Sequence, residues 1–146
     1  MSLLVIMGSG ETAPTMVKVH RRVFDAVGDG SSLLLDTPYG FQGNADDLSV
    51  RAVDYFADVA GRTVRPLQWR RPGDATAADR AVAALREASW AFAGPGSPTY
   101  ALRVWAGSGL DAEVAGVVDR GGASVFASAA ALTLGSHTVP VYEVYK

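Results

Sequence analysis

Short apolar runs alternate along this chain with longer stretches in which apolar residues recur every three or four positions. Most of the runs are apolar throughout, which is typical of parallel strands buried on both faces. The runs predict strands at positions 3–7, 33–36, 63–67, 90–93, 123–127 and 139–145. The stretches between them have the periodicity of amphipathic helices.

Residues suited to begin a helix precede four of these helical stretches, namely Thr12, Asn44, Thr76 and Ser97. A fifth helix is predicted between Gly109 and Gly121. Regular alternation of strands and helices predicts an α/β fold of three layers, with a mostly parallel, flavodoxin-like sheet covered by helices on both faces. A length of 146 residues is that of one domain, so we expect a single α/β domain over residues 1–146.

Composition removes several classes of function. Hydrophobic residues make up 49% of the chain, enough for a sizeable core. The absence of cysteine excludes disulfides, thiolate metal ligands and a cysteine nucleophile. The two histidines, His20 and His137, have no matching carboxylate spacing, so the sequence predicts neither a metal site nor a cofactor.

The charge and the amino terminus bear on partners and location. A formal net charge of −2 gives no sign of the basic surface that binds nucleic acid or an anionic membrane. The start "MSLLVIMGSG" lacks a basic region, and no apolar run approaches the ~18 residues of a membrane span. We therefore expect a soluble, cytoplasmic protein that binds neither nucleic acid nor membrane.

Sites in parallel sheets form at the carboxyl ends of the strands, which directs attention to the turns there. The turn "GSGET" follows the first strand, and its two glycines leave amides free to hold an anion, with Gly10 and Glu11 as candidate substrate contacts. A plain tight turn is the alternative. A dinucleotide fingerprint would need a third glycine, and Ala13 stands there instead.

Two further segments carry candidates. The stretch "DTPYGFQGN" at 36–44 is long for such a loop, so Tyr39 and Gln42 either line a substrate pocket or fold back on the core. The turn "AGPGSPTY" at 93–100 precedes a helix, where free amides at Gly96 and Ser97 would suit an oxyanion. A simple turn is the alternative here as well.

The stretch "VFASAAAL" holds Ser128 between a buried strand and a predicted helix. Nucleophile elbows place a serine in this way, in the pattern G-x-S-x-G, whereas here Phe126 and Ala130 occupy the glycine positions. The alternative is a buried serine that caps the next helix. His137 follows nine residues later and either approaches the serine or lies in a loop.

Together, "GSGE", "WAFAGPGSPTYAL" and "GGASVFASAAALTLG" followed by "VPVYEVYK" resemble peptidase family S51. This family includes cyanophycinases and aspartyl dipeptidases and has the class I glutamine amidotransferase-like fold. The family's G-x-S-A-G-A elbow corresponds to positions 126–131, where both glycines are replaced. The resemblance implies that Ser128 is the nucleophile. The amides of Ala129 and Gly96 would bind the oxyanion, because Pro95 has no N–H.

The resemblance also implies the rest of a triad. The family's acidic member corresponds to Glu143, fifteen residues after Ser128, although an outward-facing strand residue is the alternative. The family's histidine would lie beyond Lys146, which leaves His137 as a substitute base. We therefore expect a domain that is incomplete at its C-terminus, with an exposed apolar edge that favours a homodimer.

The resulting hypothesis is a serine hydrolase that cleaves a peptide or isopeptide bond of a small, acidic substrate. The alternative is a non-catalytic module that binds a small anion on the same fold. Amidotransfer, which the fold name suggests, needs a cysteine nucleophile that this chain lacks.

Overall fold

The computed structural model describes residues 1–142. One parallel sheet runs through the described chain, with its strands in the order β1-β5-β4-β2-β3. The strands are β1 (Leu3–Met7), β2 (Ser31–Leu35), β3 (Arg65–Pro66), β4 (Ala88–Ala93) and β5 (Ala123–Ala127). The α/β fold expected from the alternating pattern is therefore confirmed.

Five α-helices lie in the described residues: α1 (Val17–Val27), α2 (Ala45–Ala60), α3 (Ala75–Leu85), α4 (Pro98–Trp105) and α5 (Leu110–Asp119). Three short 3₁₀ helices follow the carboxyl ends of strands, at Pro14–Met16, Thr37–Tyr39 and Ser128–Leu134. Helices on both faces of the sheet give the three layers that the sequence predicts.

The layer of α1 and α2 covers an aromatic core. Phe24 of α1 and Phe56 of α2 meet Trp90 of β4, with ring centroids 4.7 and 5.0 Å from the indole. Phe92 lies beside them, 5.2 Å from Phe56. On the opposite face α3, α4 and α5 contribute buried side chains that range in size from Ala81 and Val117 to Trp105.

The strand β1 lies at an edge of the described sheet and is covered on one face only. Met7 is buried on the face packed against α1, whereas Leu4 and Ile6 on the other face are 54% and 63% exposed. The exposed apolar edge that we expect beside the C-terminus is a separate matter, because part of the predicted last strand lies outside the described residues. Self-association itself stays a prediction.

The predicted strand at 139–145 is wrong over its described part. Residues 139–142 contain no strand, and positions 143–145 lie outside the described residues. Pro140 has no N–H to give to a ladder, and Tyr142 has a φ of 59°, which no extended strand adopts. The predicted strand at 63–67 is reduced to Arg65–Pro66 at the opposite sheet edge.

The helix starts are partly corrected. Ser97 caps α4 as predicted, because its Oγ accepts a hydrogen bond from Tyr100 N. Asn44 is the N-cap of α2, although its side chain makes no capping bond. Thr76 does not cap α3, because the Asp74 carboxylate two residues earlier accepts from Ala77 N.

The first helix also begins later than predicted. Thr12 does not cap it, because the chain first forms the 3₁₀ helix Pro14–Met16, with Ala13 at its N-cap position. The helix α1 starts only at Val17. The amides of the "GSGET" turn therefore do not lie at the N-terminus of an α-helix, which weakens its expected role as an anion cradle.

Candidate functional site

Ser128 lies at a sharp turn between β5 and a 3₁₀ helix. Ala127 ends the strand in an extended conformation, and Ser128 then has a φ of 53°. Residues other than glycine rarely adopt this left-handed conformation, and they keep it only where surrounding structure enforces it. The serine is half-buried, and its side chain does not cap the following helix. The turn around Ser128 therefore has the shape of an elbow, and the role of Ser128 as nucleophile stays a prediction.

Two neighbouring turns hold the elbow in place. Ser128 N–H donates to the Gly8 carbonyl at 3.2 Å, and Ala130 N–H donates to the Gly94 carbonyl at 3.1 Å. These glycines follow β1 and β4, the two strands that flank β5 in the sheet. The turns that follow β1, β4 and β5 therefore meet at the carboxyl ends of these strands.

Gly96 occupies a position that no other residue fits. Its φ is 136°, and a Cβ atom there would overlap the carbonyl of Pro38. The next amide, Ser97 N–H, donates to that same carbonyl at 2.8 Å. The β4 turn is thereby clamped onto the 3₁₀ helix Thr37–Tyr39 after β2.

The two amides expected to bind an oxyanion, those of Gly96 and Ala129, resemble each other in lacking a backbone partner among residues 1–142. Within the described residues, the N–H of Gly96 makes no backbone hydrogen bond. Ala129 lies in the first turn of the 3₁₀ helix, where N–H groups have no partner inside the helix. The Ser97 hydroxyl, by contrast, is buried and serves as the α4 cap, beside the Thr99 hydroxyl at 3.2 Å.

The aromatic residues of the 36–44 loop divide between core and surface. Tyr39 is buried, and its hydroxyl lies 2.8 Å from Ser49 Oγ, so it folds back on the core. Burial raises the pKa of Tyr39 to about 12, although its hydrogen bond to Ser49 acts in the opposite direction. Phe41 is 40% exposed and contacts the rings of Tyr100 and Tyr142 at 5.2 and 6.0 Å.

Gln42, the other candidate of this loop, is half-buried, and its backbone N–H donates to Tyr39 O at 3.0 Å. Gly10, from the first turn, is exposed, and its carbonyl accepts from Ala13 N at 2.9 Å. Backbone hydrogen bonds therefore fix both residues within their own turns.

An ion-pair network below this loop was not predicted. Asp36, fully buried at the end of β2, accepts from Trp69 N at 3.2 Å and from Arg70 Nε at 2.5 Å. Arg70 also binds Asp46 at 2.6 Å and donates to Ser49 at 3.2 Å. A guanidinium that is paired in this way ties the loop to the segment after β3.

Glu11 is a buried carboxylate beside the β4 turn. The residue is 6% exposed, and its Oε1 lies 3.5 Å from the point where a Cβ of Gly94 would be. Its backbone carbonyl accepts a hydrogen bond from His20 Nε2 at 2.6 Å. Glu11 is thus held at the same sheet edge as the elbow.

His20 has the structural role that its place on the first helix suggests. It is 1% exposed and packs edge-on against Phe56 at 5.1 Å and Tyr55 at 5.8 Å. Burial lowers the pKa of His20, against the opposing effect of the Glu11 carbonyl and charge. Since Nε2 donates to Glu11, Nδ1 carries no proton, and it has no hydrogen-bond partner within the described chain.

The candidate base His137 does not contact Ser128 through a hydrogen bond among the described residues. His137 is exposed, and its Nδ1 lies 3.1 Å from the hydroxyl of Ser136. Glu143 lies outside the described residues.

An apolar groove of about 680 Å³ lies beside the edge strand rather than at the elbow. Leu4, Trp105 and Leu134 line it, together with Phe126, which packs into the core on the side of α3 to α5. Phe126 is thus buried at the position where the resemblance leads one to expect glycine.

Two features are absent from residues 1–142. These residues contain no group of three or more His, Cys, Asp or Glu side chains placed to hold a metal ion. No helix among them is both long enough and apolar enough to cross a membrane.

Solved structures share this fold. A peptidase from an acI-B1 Actinobacterium superposes with a TM-score of 0.78 at 20% sequence identity, over 92% of this chain and 57% of its own. A protein of Listeria monocytogenes EGD-e, named provisionally as a peptidase E, gives a TM-score of 0.57 at 14% identity, over 90% and 61%. The chain thus spans about three fifths of the length of these two proteins. At such identities the likeness shows the fold.

Sequence comparisons add no assignment. No protein-family model matches the chain. No curated protein matches it either.

Sequence reasoning missed the Asp36–Arg70 pair and the burial of Glu11. Asp36 and Arg70 are 34 residues apart, so only the pairing of β2 with β3 brings them together. For the Asp36–Arg70 pair, the signal available in the sequence was an aspartate at the end of a predicted strand. For Glu11, the polar "GSGET" context gave no sign of burial.

Proposed function

We propose that this chain is a serine hydrolase of the peptidase S51 type, with Ser128 as its nucleophile. The single observation that supports this most is the conformation of Ser128, a half-buried, non-capping serine with a φ of 53° at the carboxyl end of a central strand. A strained turn of this kind costs free energy and persists where function needs the side chain presented. The solved peptidases with the same fold are consistent with the proposal.

In the proposed reaction Ser128 Oγ attacks the carbonyl carbon of a peptide or isopeptide bond in a small substrate. The hydroxyl proton passes to a base and then to the leaving amine, and water hydrolyses the acyl-serine. The amides of Gly96 and Ala129 are the proposed oxyanion donors. The acidic character expected of the substrate rests on the family resemblance alone.

His137 remains our candidate base and Glu143 our candidate for orienting it. His137 belongs to the segment after the 3₁₀ helix Ser128–Leu134, where its ring is exposed and, within residues 1–142, bonded to the adjacent Ser136 alone. The proposal therefore requires this segment to rearrange when substrate binds. A triad serine that lacks its base keeps only a small part of the rate enhancement.

A second candidate is a binding module without catalysis, favoured by the exposed position of His137. For a small anion, however, the site is poorly suited. The Glu11 carboxylate lies beside Gly94, so it would repel a negative group at that turn. The same carboxylate would also act on an oxyanion at Gly96, so the preference for the hydrolase rests on the conformation of Ser128.

The test of the proposed function is hydrolysis of a panel of dipeptides and isopeptides by the wild-type chain and by Ser128→Ala. We expect turnover by the wild type and its loss in the variant, with circular dichroism spectra and thermal unfolding unchanged. Ser9→Ala, which removes an exposed hydroxyl from the first turn, is the matched control and should keep full turnover. Equal turnover by wild type and Ser128→Ala would reject the proposal.

A further inference from the structure

The 3₁₀ helix after β2, which holds the Gly96 turn, is itself fastened to the segment after β3. The Thr37 hydroxyl is buried and donates to the Trp69 carbonyl at 2.6 Å. Directly after the helix, Gly40 approaches Arg70 so closely that a Cβ atom there would lie 2.6 Å from the Arg70 carbonyl oxygen. Both ends of the helix are therefore attached to one short segment.

A buried carboxylate keeps this segment in place. Asp36 is fully buried and accepts hydrogen bonds from Trp69 N at 3.2 Å and from Arg70 Nε at 2.5 Å. The second of these bonds joins two opposite charges, which makes it stronger than a neutral hydrogen bond. The backbone carbonyls of Trp69 and Arg70 are thereby fixed relative to β2.

Tyr100 fastens the other side of the Gly96 turn to the same segment. Its hydroxyl donates to the Arg70 carbonyl at 2.5 Å, and its backbone N–H donates to the Ser97 hydroxyl at 3.1 Å. The Tyr100 ring lies against Phe41, with the ring centroids 5.2 Å apart. The first turn of α4, which follows Gly96 directly, is thus anchored to Arg70 through a side chain of its own.

These contacts fix the turn of the proposed oxyanion donor from two sides. One side is the bond from Ser97 N–H to the Pro38 carbonyl, and the other is the bond from Tyr100 to the segment after β3. The Gly96 N–H makes no backbone hydrogen bond among the described residues, so its neighbours set its direction. A donor of this kind must lie within about 0.5 Å of the productive position to stabilise an oxyanion.

We propose that Tyr100 is a positioning residue, whose hydroxyl keeps the Gly96 N–H directed at the oxyanion that forms when Ser128 attacks. It acts through the Arg70 carbonyl, to which its proton is donated, and not on the substrate. The inference rests on the proposed function, from which it takes the roles of Gly96 and Ser128. Phenylalanine at position 100 keeps the ring and loses the hydroxyl, so this substitution isolates the effect.

Amide hydrogen exchange tests the inference without any need for turnover. Tyr100→Phe should raise the exchange rate of the Ser97 N–H about tenfold, because the loss of one hydrogen bond lets its bond to the neighbouring turn open more often. The amide of Val125 in β5 should exchange at its wild-type rate. Tyr55→Phe is the matched control, since it removes a hydroxyl of α2 that donates to the Ala13 carbonyl at 3.2 Å and should change neither amide.

Hydrolysis of the panel of dipeptides and isopeptides gives a second measurement. An oxyanion contact forms in the transition state and not with the bound substrate, so Tyr100→Phe should lower kcat about tenfold and leave KM unchanged. Tyr55→Phe should keep both values. Thr37→Val removes the hydroxyl bonded to Trp69, which loosens the same turn at another point, and should reproduce the effects of Tyr100→Phe on exchange and kcat.

The inference is overturned if the Ser97 amide exchanges equally fast in wild type and Tyr100→Phe. It is also overturned if exchange rises to the same extent at Ser97 and Val125, as a general loss of stability would produce, or if KM alone changes. If Tyr100→Phe does not fold, the same comparisons on Thr37→Val decide.

Failure of the proposed function gives a different result. The wild type would then hydrolyse nothing, and the exchange rates at Ser97 and Val125 would decide whether Tyr100 fixes the turn. Turnover that is lost in Ser128→Ala but unchanged in Tyr100→Phe would leave the hydrolase standing and overturn only the role of Tyr100.

Discussion

Gly96 lies so close to the carbonyl of Pro38 that no side chain fits between them. The contact joins the turn after β4 to the 3₁₀ helix after β2, and Ser97 N–H reinforces it with a hydrogen bond to the same carbonyl at 2.8 Å. The proposed oxyanion amide is therefore held by packing between two turns.

This contact makes Gly96→Ala a strongly destabilising substitution. The added methyl must displace the Pro38 backbone, and alanine must also adopt a φ of 136°. We expect a loss of about 2 kcal/mol or more in the free energy of unfolding, measured by urea denaturation. Gly43→Ala is the control, since a Cβ there meets nothing within 4 Å and should change stability little. A Gly96→Ala protein as stable as this control would contradict the described turn.

The strain at Ser128 predicts a difference between two substitutions that both remove its hydroxyl. Ser128→Gly should be more stable than Ser128→Ala by about 1 kcal/mol, because glycine adopts a φ of 53° without a steric penalty. The comparison is made by urea unfolding of both variants. Stability that is lower in the glycine variant would show that the turn is not strained.

The Asp36–Arg70 pair predicts a large cost for removing the guanidinium. Arg70→Ala leaves the fully buried Asp36 carboxylate without its charged partner, and we expect about 3 kcal/mol lower stability. Arg86→Ala breaks a pair with Glu113 in which Arg86 is 62% exposed, so its cost should stay below about 1 kcal/mol. Similar losses in the two variants, measured by chemical denaturation, would argue against a structural role for the buried pair.

The buried His20 predicts that the free energy of unfolding decreases as the pH is lowered below neutrality. Burial lowers its pKa in the folded chain below the ordinary value of 6.5, so the unfolded chain takes up a proton first as the pH falls. The contribution of this histidine is complete above pH 6.5 and declines below it, by at most about 1.4 kcal/mol per pH unit.

The measurement compares wild type with His20→Phe at several pH values between 7.5 and 5. The wild type should lose more stability than the variant on acidification, so the difference between them changes with pH. Glu11 and Tyr55 face the same ring and are present in both proteins. A difference that is constant over this range would contradict a neutral, buried His20.

Much of the fold follows from local patterns, while the supports of the site do not. The strand Ala123–Ala127 and the Ser97 cap of α4 agree with the sequence prediction, because each depends on neighbouring residues. Contacts such as Gly96 with Pro38 join residues far apart in the chain. They depend on the strand order, which a pattern of apolar runs does not specify.

In the candidate site, too, some features follow from neighbouring residues and others depend on the strand order. The turns at Gly8, Gly94 and Ser128 were each suggested by their residues, yet only the sheet brings them together. The absence of glycine at Phe126 counted against an elbow in the sequence. In the structure Phe126 is buried in the core, and the role of the turn as a nucleophile elbow stays a prediction.

The central claim, that Ser128 is a nucleophile presented by a strained turn, is tested most directly by labelling with a fluorophosphonate. The Ser128 oxygen would form a bond to the phosphorus of the probe and displace fluoride. Intact-protein mass spectrometry detects the added mass. We predict one label on the wild type and on Ser9→Ala, located at Ser128 by peptide mapping, and none on Ser128→Ala. An unlabelled wild type, or a label that persists in Ser128→Ala, would contradict the account.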